Sequence, residues 1–125
     1  MDGGFLIAFD EMEGGRLRAQ VTGVRSVDAT IGYWEAILAR IAEARPAGLM
    51  VMDELVGEEL SASEWKQLVT QMVGRGLEGI PLAHVKPFTF DQINYCEKYA
   101  KEAGLQARAF RREADAVEWL QARAG

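Results

Sequence analysis

The sequence has 125 residues, of which 49% are hydrophobic, and this is enough apolar side chain for one domain whose core needs neither a disulfide nor a metal. Fourteen basic against nineteen acidic residues give a net charge of −5, which disfavours nucleic acid and anionic membrane surfaces as partners. No apolar run approaches the roughly 20 residues that cross a bilayer, and no secretory signal pattern opens the chain. We therefore expect a single cytoplasmic domain over residues 1–125, without stable membrane insertion.

The first residues predict a β-hairpin. In the segment GFLIAFDEMEGGRLRAQVTG, two apolar stretches are separated by Gly14 and Gly15. In the second stretch, Leu17, Ala19 and Val21 occupy alternate positions, which is typical of a strand with one buried face. Two antiparallel strands joined by a tight turn are the expected result.

A first helix is predicted from Asp28 or Thr30 to a point before Pro46. Its apolar residues recur at spacings of three and four and form one stripe: Ile31, Trp34, Ile37, Leu38 and Ile41. The next segment, AGLMVMDEL, is short and almost continuously apolar, as in a strand that is buried on both faces. We expect this strand to lie in the centre of a sheet.

The letters SASE, which begin at Ser61, match a capping box. In this motif the Ser61 hydroxyl accepts a hydrogen bond from the Glu64 amide, and the Glu64 carboxylate accepts one from the Ser61 amide. Ser61 is therefore predicted to be the N-cap of a second helix, and Ser63 an exposed residue of its first turn. The apolar stripe of this helix begins with Trp65, and Gly74 supplies a left-handed end.

Two more strand–helix units complete the chain. IPLAHVKP predicts a strand, and a capping box of Thr89 and Gln92 begins a third helix that runs to about Ala103 before Gly104. GLQARAFRR supplies the last strand and EADAVEWLQARA the last helix. The predicted fold class is therefore α/β, with a mixed, mostly parallel five-stranded sheet, an opening antiparallel hairpin and four helices.

Polar residues collect at the predicted carboxyl ends of the parallel strands, where ligands of α/β sheets tend to bind. They are Asp53 and Glu54 after the third strand, His84 and Lys86 in or after the fourth, and Arg111 and Arg112 after the fifth. Together they could bind a small anion or perform acid–base chemistry. We prefer the simpler interpretation, in which they are loop charges in water, because charged residues are mostly exposed.

Neither a metal nor a cofactor is predicted. His84 is the only histidine and Cys96 the only cysteine, and neither belongs to a recognisable metal-ligand spacing. A Walker loop, a dinucleotide fingerprint and a Gly-x-Ser-x-Gly elbow are missing from the sequence. A nucleophilic pair of Cys96 with His84 is disfavoured, since Cys96 falls in the middle of a predicted helix, where a small buried hydrophobe is expected.

The ending ARAFRREADAVEWLQA resembles the C-terminal signature of the SpoIIAA-like branch of the STAS superfamily, the sulfate transporter and anti-sigma-factor antagonist domains. The matching residues are Phe110, Arg111, Glu113, Ala116, Trp119 and Leu120. The resemblance implies a STAS/SpoIIAA-like α/β domain that works by binding proteins, with a phosphorylatable serine at the start of the second helix. Ser61 and Ser63 fall there, but LSASEW lacks the Asp and Gly of the antagonist motif, so we predict a cap rather than a switch.

Three functions are consistent with these observations. The first is a non-catalytic STAS-like regulatory module that binds a protein partner or a second copy of itself, because the many helix-borne aromatics cannot all be core. The second is a carrier or sensor of a small apolar, lipid-like ligand, since the SpoIIAA-like branch looks related to Sec14-type domains; a cavity lined by Trp34, Trp65 and Phe90 would favour it. The third is a small enzyme built around His84. The candidate regulatory or ligand residues are Asp53, Glu54, Ser61, Ser63, Trp65, His84, Lys86, Phe90 and Arg111.

Overall fold

A computed structural model describes residues 4–90 and 95–123 of the chain. Within them, five strands form one sheet in the order β1-β2-β3-β4-β5, with β1 antiparallel to β2 and the other three pairs parallel. The predicted α/β class, opening hairpin and four helices are confirmed. The elements are β1 (Phe5–Met12), β2 (Arg16–Val24), α1 (Val27–Ala44), β3 (Leu49–Val56), α2 (Ala62–Met72), β4 (Leu82–Val85), α3 (Tyr95–Glu102), β5 (Ala107–Phe110) and α4 (Glu113–Ala122).

Strand β3 is the centre of the sheet, as its apolar sequence predicts. Val51 pairs with Ala19 on one side and with His84 on the other. Leu49, Met50 and Val51 have no solvent exposure. A continuous apolar run is required here because both faces of the strand are covered.

The two faces of the sheet are covered unequally. Apolar residues of α1, α2 and α3 form the larger core with one face of the sheet, whereas α4 packs Ala116 and Leu120 against the other. The strands lie in the sheet in the same order as in the sequence. Right-handed crossovers therefore place the three connecting helices, α1, α2 and α3, on the same side of the sheet. Helix α4 contacts β3, β4 and β5, and its Glu113 extends to β2, where it accepts from Arg18 Nε at 2.9 Å.

The capping box of α2 is confirmed. The Ser61 hydroxyl accepts from the Glu64 amide at 3.2 Å, and the Glu64 carboxylate accepts from the Ser61 amide at 2.8 Å. Ser63 is exposed in the first turn, and Gly74 has a left-handed φ of 81° just beyond the end of the helix. Ser61 therefore satisfies a backbone donor that the helix itself leaves unpaired.

The remaining helix ends differ slightly from the predicted ones. Helix α1 begins earlier, because Ser26 caps it by accepting from the Ala29 amide at 3.0 Å. Helix α3 ends close to the predicted position, before Gly104. The predicted capping box of Thr89 and Gln92 extends outside the described residues.

Candidate functional site

A cluster of charged side chains is buried between the sheet and helices α1 to α3. Alternation along β3 places Asp53 on the same face as Val51 and Leu55, and His84 faces that side from β4. Asp53 and Lys86 have no solvent exposure, and His84 is 4% exposed. The interpretation of these three residues as loop charges in water is wrong, because they lie within or directly after strands on the face that three helices cover.

The Asp53 carboxylate is held by four hydrogen-bond donors. Its Oδ1 accepts from Arg25 Nη2 at 2.7 Å and from the Leu55 amide at 3.3 Å. Its Oδ2 accepts from the Tyr33 hydroxyl at 2.8 Å and lies 2.9 Å from His84 Nε2. Burial alone would raise the pKa of Asp53, but the hydrogen bonds and charges of His84 and Arg25 hold it well below its usual range. Asp53 is therefore a buried anion.

A second carboxylate, Glu59, joins the cluster from the loop that precedes α2. It forms an ion pair with Lys86 and accepts from Trp65 Nε1 at 3.0 Å, and it lies 3.4 Å from Arg25 Nε. The ring of Trp65 also faces two cations, with Lys86 Nζ 5.3 Å and Arg25 Cζ 6.0 Å from its centroid. Burial raises the pKa of Glu59, yet Lys86 and Arg25 lower it overall. Glu59 is the counterion of Lys86.

Cys96 of α3 lies close to Lys86, which directly follows β4. Lys86 Nζ is 3.8 Å from the Cys96 sulfur, and His84 of β4 lines the same small cavity as Cys96. Burial would lower the pKa of His84, but Cys96 and Asp53 raise it to about 9. Burial would raise the pKa of the Cys96 thiol, but the charge and hydrogen bond of His84, together with Lys86, lower it overall.

A small cavity adjoins Cys96 and His84. It offers about 20 Å3 to the centre of a water-sized molecule, which is room for about one water. Most of its walls are apolar, and Trp34 and Trp65 contribute to them. The indole N–H of Trp34 is buried and has no hydrogen-bond partner among the described residues. No polar atom of the described residues is exposed at the cavity wall, so the cavity is an apolar void.

Sequence reasoning missed three members of the cluster: Arg25, Tyr33 and Glu59. Tyr33 and Trp34 are neighbours on α1 and both are buried, and the Tyr33 hydroxyl donates to the Asp53 carboxylate. Arg25 could have been found, because it directly follows β2, whose end is paired in register with β3 around Asp53. Cys96 is buried in the hydrophobic core from α3, as expected, with Lys86 Nζ 3.8 Å from its sulfur.

The other predicted site residues lie elsewhere. Glu54 points to the opposite face and accepts from Gln20 Nε2 at 2.6 Å. Phe90 and Arg111 line an open groove of about 610 Å3 between the end of β5 and α4, with the Arg111 guanidinium 5.1 Å from the Phe90 ring centre. Arg112 is exposed and pairs with Asp115 at 3.1 Å. The polar residues at the strand ends therefore form two separate groups and not one site.

Within residues 4–90 and 95–123, no three His, Cys, Asp or Glu side chains are placed to hold a metal ion together. No helix in this part of the chain is long and apolar enough to cross a membrane. Comparison with known proteins gave no match to any family model and none to any curated protein.

Proposed function

We propose that the chain is a non-catalytic binding module of the SpoIIAA-like STAS type, which acts through protein contacts made by the uncovered part of its sheet. The proposal depends on one observation, the exposure of three large apolar side chains on the α4 side of the sheet, at the end where β2 and β3 finish and β1 begins. Leu6 is 76% exposed, Val24 64% and Val56 48%. We call Leu6, Val24 and Val56 the open-face patch.

The register of the sheet brings these three side chains together. Val24 is directly opposite Val56, and Leu6 is opposite Thr22, which is two residues from Val24 on the same face. Strand β1 is also an edge strand, and its outer side pairs with no other strand in the described part of the chain. An apolar patch beside a free edge can take a strand or an apolar surface from another molecule.

The burial of the charged cluster also supports a binding function over a catalytic one. An enzyme that used His84 would need an open cleft with a carboxylate at hydrogen-bonding distance. The carboxylate of Asp53 is present at 2.9 Å, but His84 is 4% exposed and the adjoining cavity has room for about one water. Substrates of ordinary size do not fit there.

Sedimentation velocity at micromolar concentration, combined with native mass spectrometry of protein from its own host, tests the proposal. We expect a dimer or a stoichiometric partner that is lost in Leu6→Lys and Val24→Lys. Phe88→Lys is the matched control, because Phe88 is 60% exposed and lies outside the open-face patch. A clean monomer without a partner, or equal losses in the Phe88 control, would contradict the proposal.

A second candidate function, carriage of a small apolar ligand, is favoured by the apolar cavity next to Trp34 and Trp65. Phe90 was expected to line such a cavity, but it lies in the open groove near α4. The cavity would have to widen between α2 and α3 to hold more than a water. Native mass spectrometry distinguishes this function, because a carrier would retain a co-purified molecule at the mass of the monomer.

A further inference from the structure

We propose that the free edge of β1 pairs with β1 of a second copy of the chain, in antiparallel orientation about a two-fold axis at Ile7, so that the two five-stranded sheets join into one. The inference rests on the proposed function, because it names the occupant of the edge beside the open-face patch. It adds the identity of the partner, its orientation and the register of the contact.

Alternate residues of β1 present their backbone groups at this edge. In β2 the Leu17 amide donates to the Gly48 carbonyl, so the odd-numbered residues of β2 are bonded to β3 and the even-numbered ones to β1. Each even-numbered residue of β2 is paired with an even-numbered residue of β1. The N–H and C=O groups of Phe5, Ile7 and Phe9 therefore point away from the sheet.

The two edges of the sheet are protected to different degrees. At the β5 edge, the Glu97 carboxylate accepts a hydrogen bond from the Ala109 amide and so occupies a donor of that edge. Strand β1 has eight residues against four in β5, and it pairs with β2 without a bulge. Its segment FLIAF contains neither a charge nor a proline, the residues that commonly block an edge. The β1 edge is therefore the one that can accept another strand.

The segment FLIAF is complementary to its own reverse. With Ile7 opposite Ile7 of the second copy, Phe5 faces Phe9 and Leu6 faces Ala8, and both contacts recur by symmetry. Every pair in this segment is apolar, and such cross-strand pairs are what stabilises a sheet. Because the Ile7 backbone groups point outwards, the central pair is also joined by hydrogen bonds. The sequence of the edge therefore matches a second copy of itself.

The acidic residue that follows this segment favours the same register. Asp10 falls opposite Gly4 of the second copy, and the two Asp10 residues are about 20 Å apart, so they do not repel each other strongly. Within its own chain, Asp10 is 3.5 Å from Arg18 Nη1. A register centred on Ala8 would instead place each Asp10 opposite an apolar Leu6. The pairing centred on Ile7 avoids this cost.

A second β1 strand buries apolar surface on both faces of the sheet. Phe5, Ile7 and Phe9 pack against the larger core but are only half-buried. On the other face, Leu6 is 76% exposed and Ala8 is also exposed. The neighbouring strand lies beside both rows at once, so their remaining contact with water decreases.

Sedimentation equilibrium of Ala8→Lys tests the dimer. Ala8 is exposed in the single chain, so the fold should tolerate the change. In the pair, the new lysine lies opposite Leu6 of the second copy, and the dissociation constant of the dimer should rise at least about tenfold. Phe88→Lys is the matched control, since Phe88 is exposed but lies outside β1, and it should leave the constant unchanged. An unchanged constant in Ala8→Lys would overturn the proposal.

Cysteine cross-linking tests the register. Facing residues Leu6 and Ala8 have Cα atoms about 4.5 Å apart, which suits a disulfide, whereas the two Leu6 residues are about 8 Å apart, as are the two Ala8 residues. A mixture of Leu6→Cys and Ala8→Cys should therefore form the intermolecular disulfide at least about tenfold faster than either variant alone. The native protein, whose single Cys96 is buried, is the control. Equal or faster cross-linking of one variant alone would overturn the register.

Native mass spectrometry of protein from its own host separates this inference from the proposed function. A dimer of the chain supports both. A complex with a different protein, lost in Leu6→Lys, would overturn the second copy as the occupant of the edge but leave the binding function standing. A monomer without any partner would overturn both.

Discussion

The Asp53 carboxylate lies 2.9 Å from His84 Nε2 in the middle of the protein, where neither residue has more than 4% of its surface exposed. This contact links two neighbouring strands of the sheet and joins His84 to Arg25 and Tyr33, which donate to the same carboxylate. It is the central connection of the buried cluster.

Asp53→Asn should lower the free energy of unfolding by about 3–5 kcal/mol, because it removes the closer of the two carboxylates that compensate the buried Arg25 guanidinium. Urea denaturation at pH 7 measures the change. Glu35→Gln is the matched control, since it breaks an exposed ion pair with Arg75 and should alter stability little. Similar losses of stability in the two variants would show that the buried ion pair contributes no more to stability than the exposed one.

Stability should fall in acid. The pKa of Asp53 is lower in the folded protein than in the unfolded chain, so its contribution is present above pH of about 4 and is lost as the pH falls towards the folded value. The lowered pKa of Glu59 acts in the same direction. Urea unfolding at pH 5, 4 and 3 should show a declining free energy of unfolding, with a shallower decline in Asp53→Asn. A constant free energy over this range would contradict the assignment of Asp53 as a buried anion.

His84 should remain protonated well above neutral pH. Its pKa is raised to about 9 by Cys96 and Asp53 against the effect of burial, and it is the only histidine, so one imidazole signal reports it. Proton NMR between pH 6 and pH 10 should show a midpoint near 9 instead of the usual value of about 6.5. A midpoint at or below the usual value would mean that burial lowers the pKa by more than Cys96 and Asp53 raise it.

Ser61→Ala should lower the free energy of unfolding by about 1 kcal/mol, because it removes the acceptor of the Glu64 amide at the start of α2. Ser63→Ala should cost much less, since Ser63 is exposed and is not the capping residue. Thermal or urea unfolding of the two variants compares them directly. Stoichiometric phosphate on either serine in protein from its host, with loss of a partner on substitution, would instead identify a switch.

Amide hydrogen exchange should be slow at Val51. The strand β3 is paired on both sides and covered on both faces, so opening it requires extensive unfolding. Exchange as fast as that of loop amides would show that the central strand is misassigned. The amide of exposed Ser63 provides a comparison within the same protein.

Local patterns predicted the architecture well. The alternation around Ala19, the apolar run around Val51 and the capping box of Ser61 each depend on neighbouring residues, and each is confirmed. The buried cluster depends on which strands become neighbours and which residues they bring into register. The pairing of Val51 with His84, which brings β4 alongside β3, cannot be obtained from either segment alone.

The general tendency of charged residues to be exposed also led to a wrong prediction. Most charged residues are exposed, so Asp53, His84 and Lys86 were assigned to solvent. Their burial is possible only because Arg25 and Glu59 approach from other parts of the chain and compensate them. Compensation of this kind is a property of the assembled fold.

The strands lie in the sheet in chain order, and this order determines how the sheet can form during synthesis. After the opening hairpin, each new strand joins the outer edge of a sheet that already exists, and no strand has to be inserted between two others. Asp53 emerges after Arg25 and Tyr33, so the first ion pair of the cluster can close before His84 and Cys96 have been made. Helix α4 emerges last and covers Met50 and Met52, which remain exposed on the growing sheet until then.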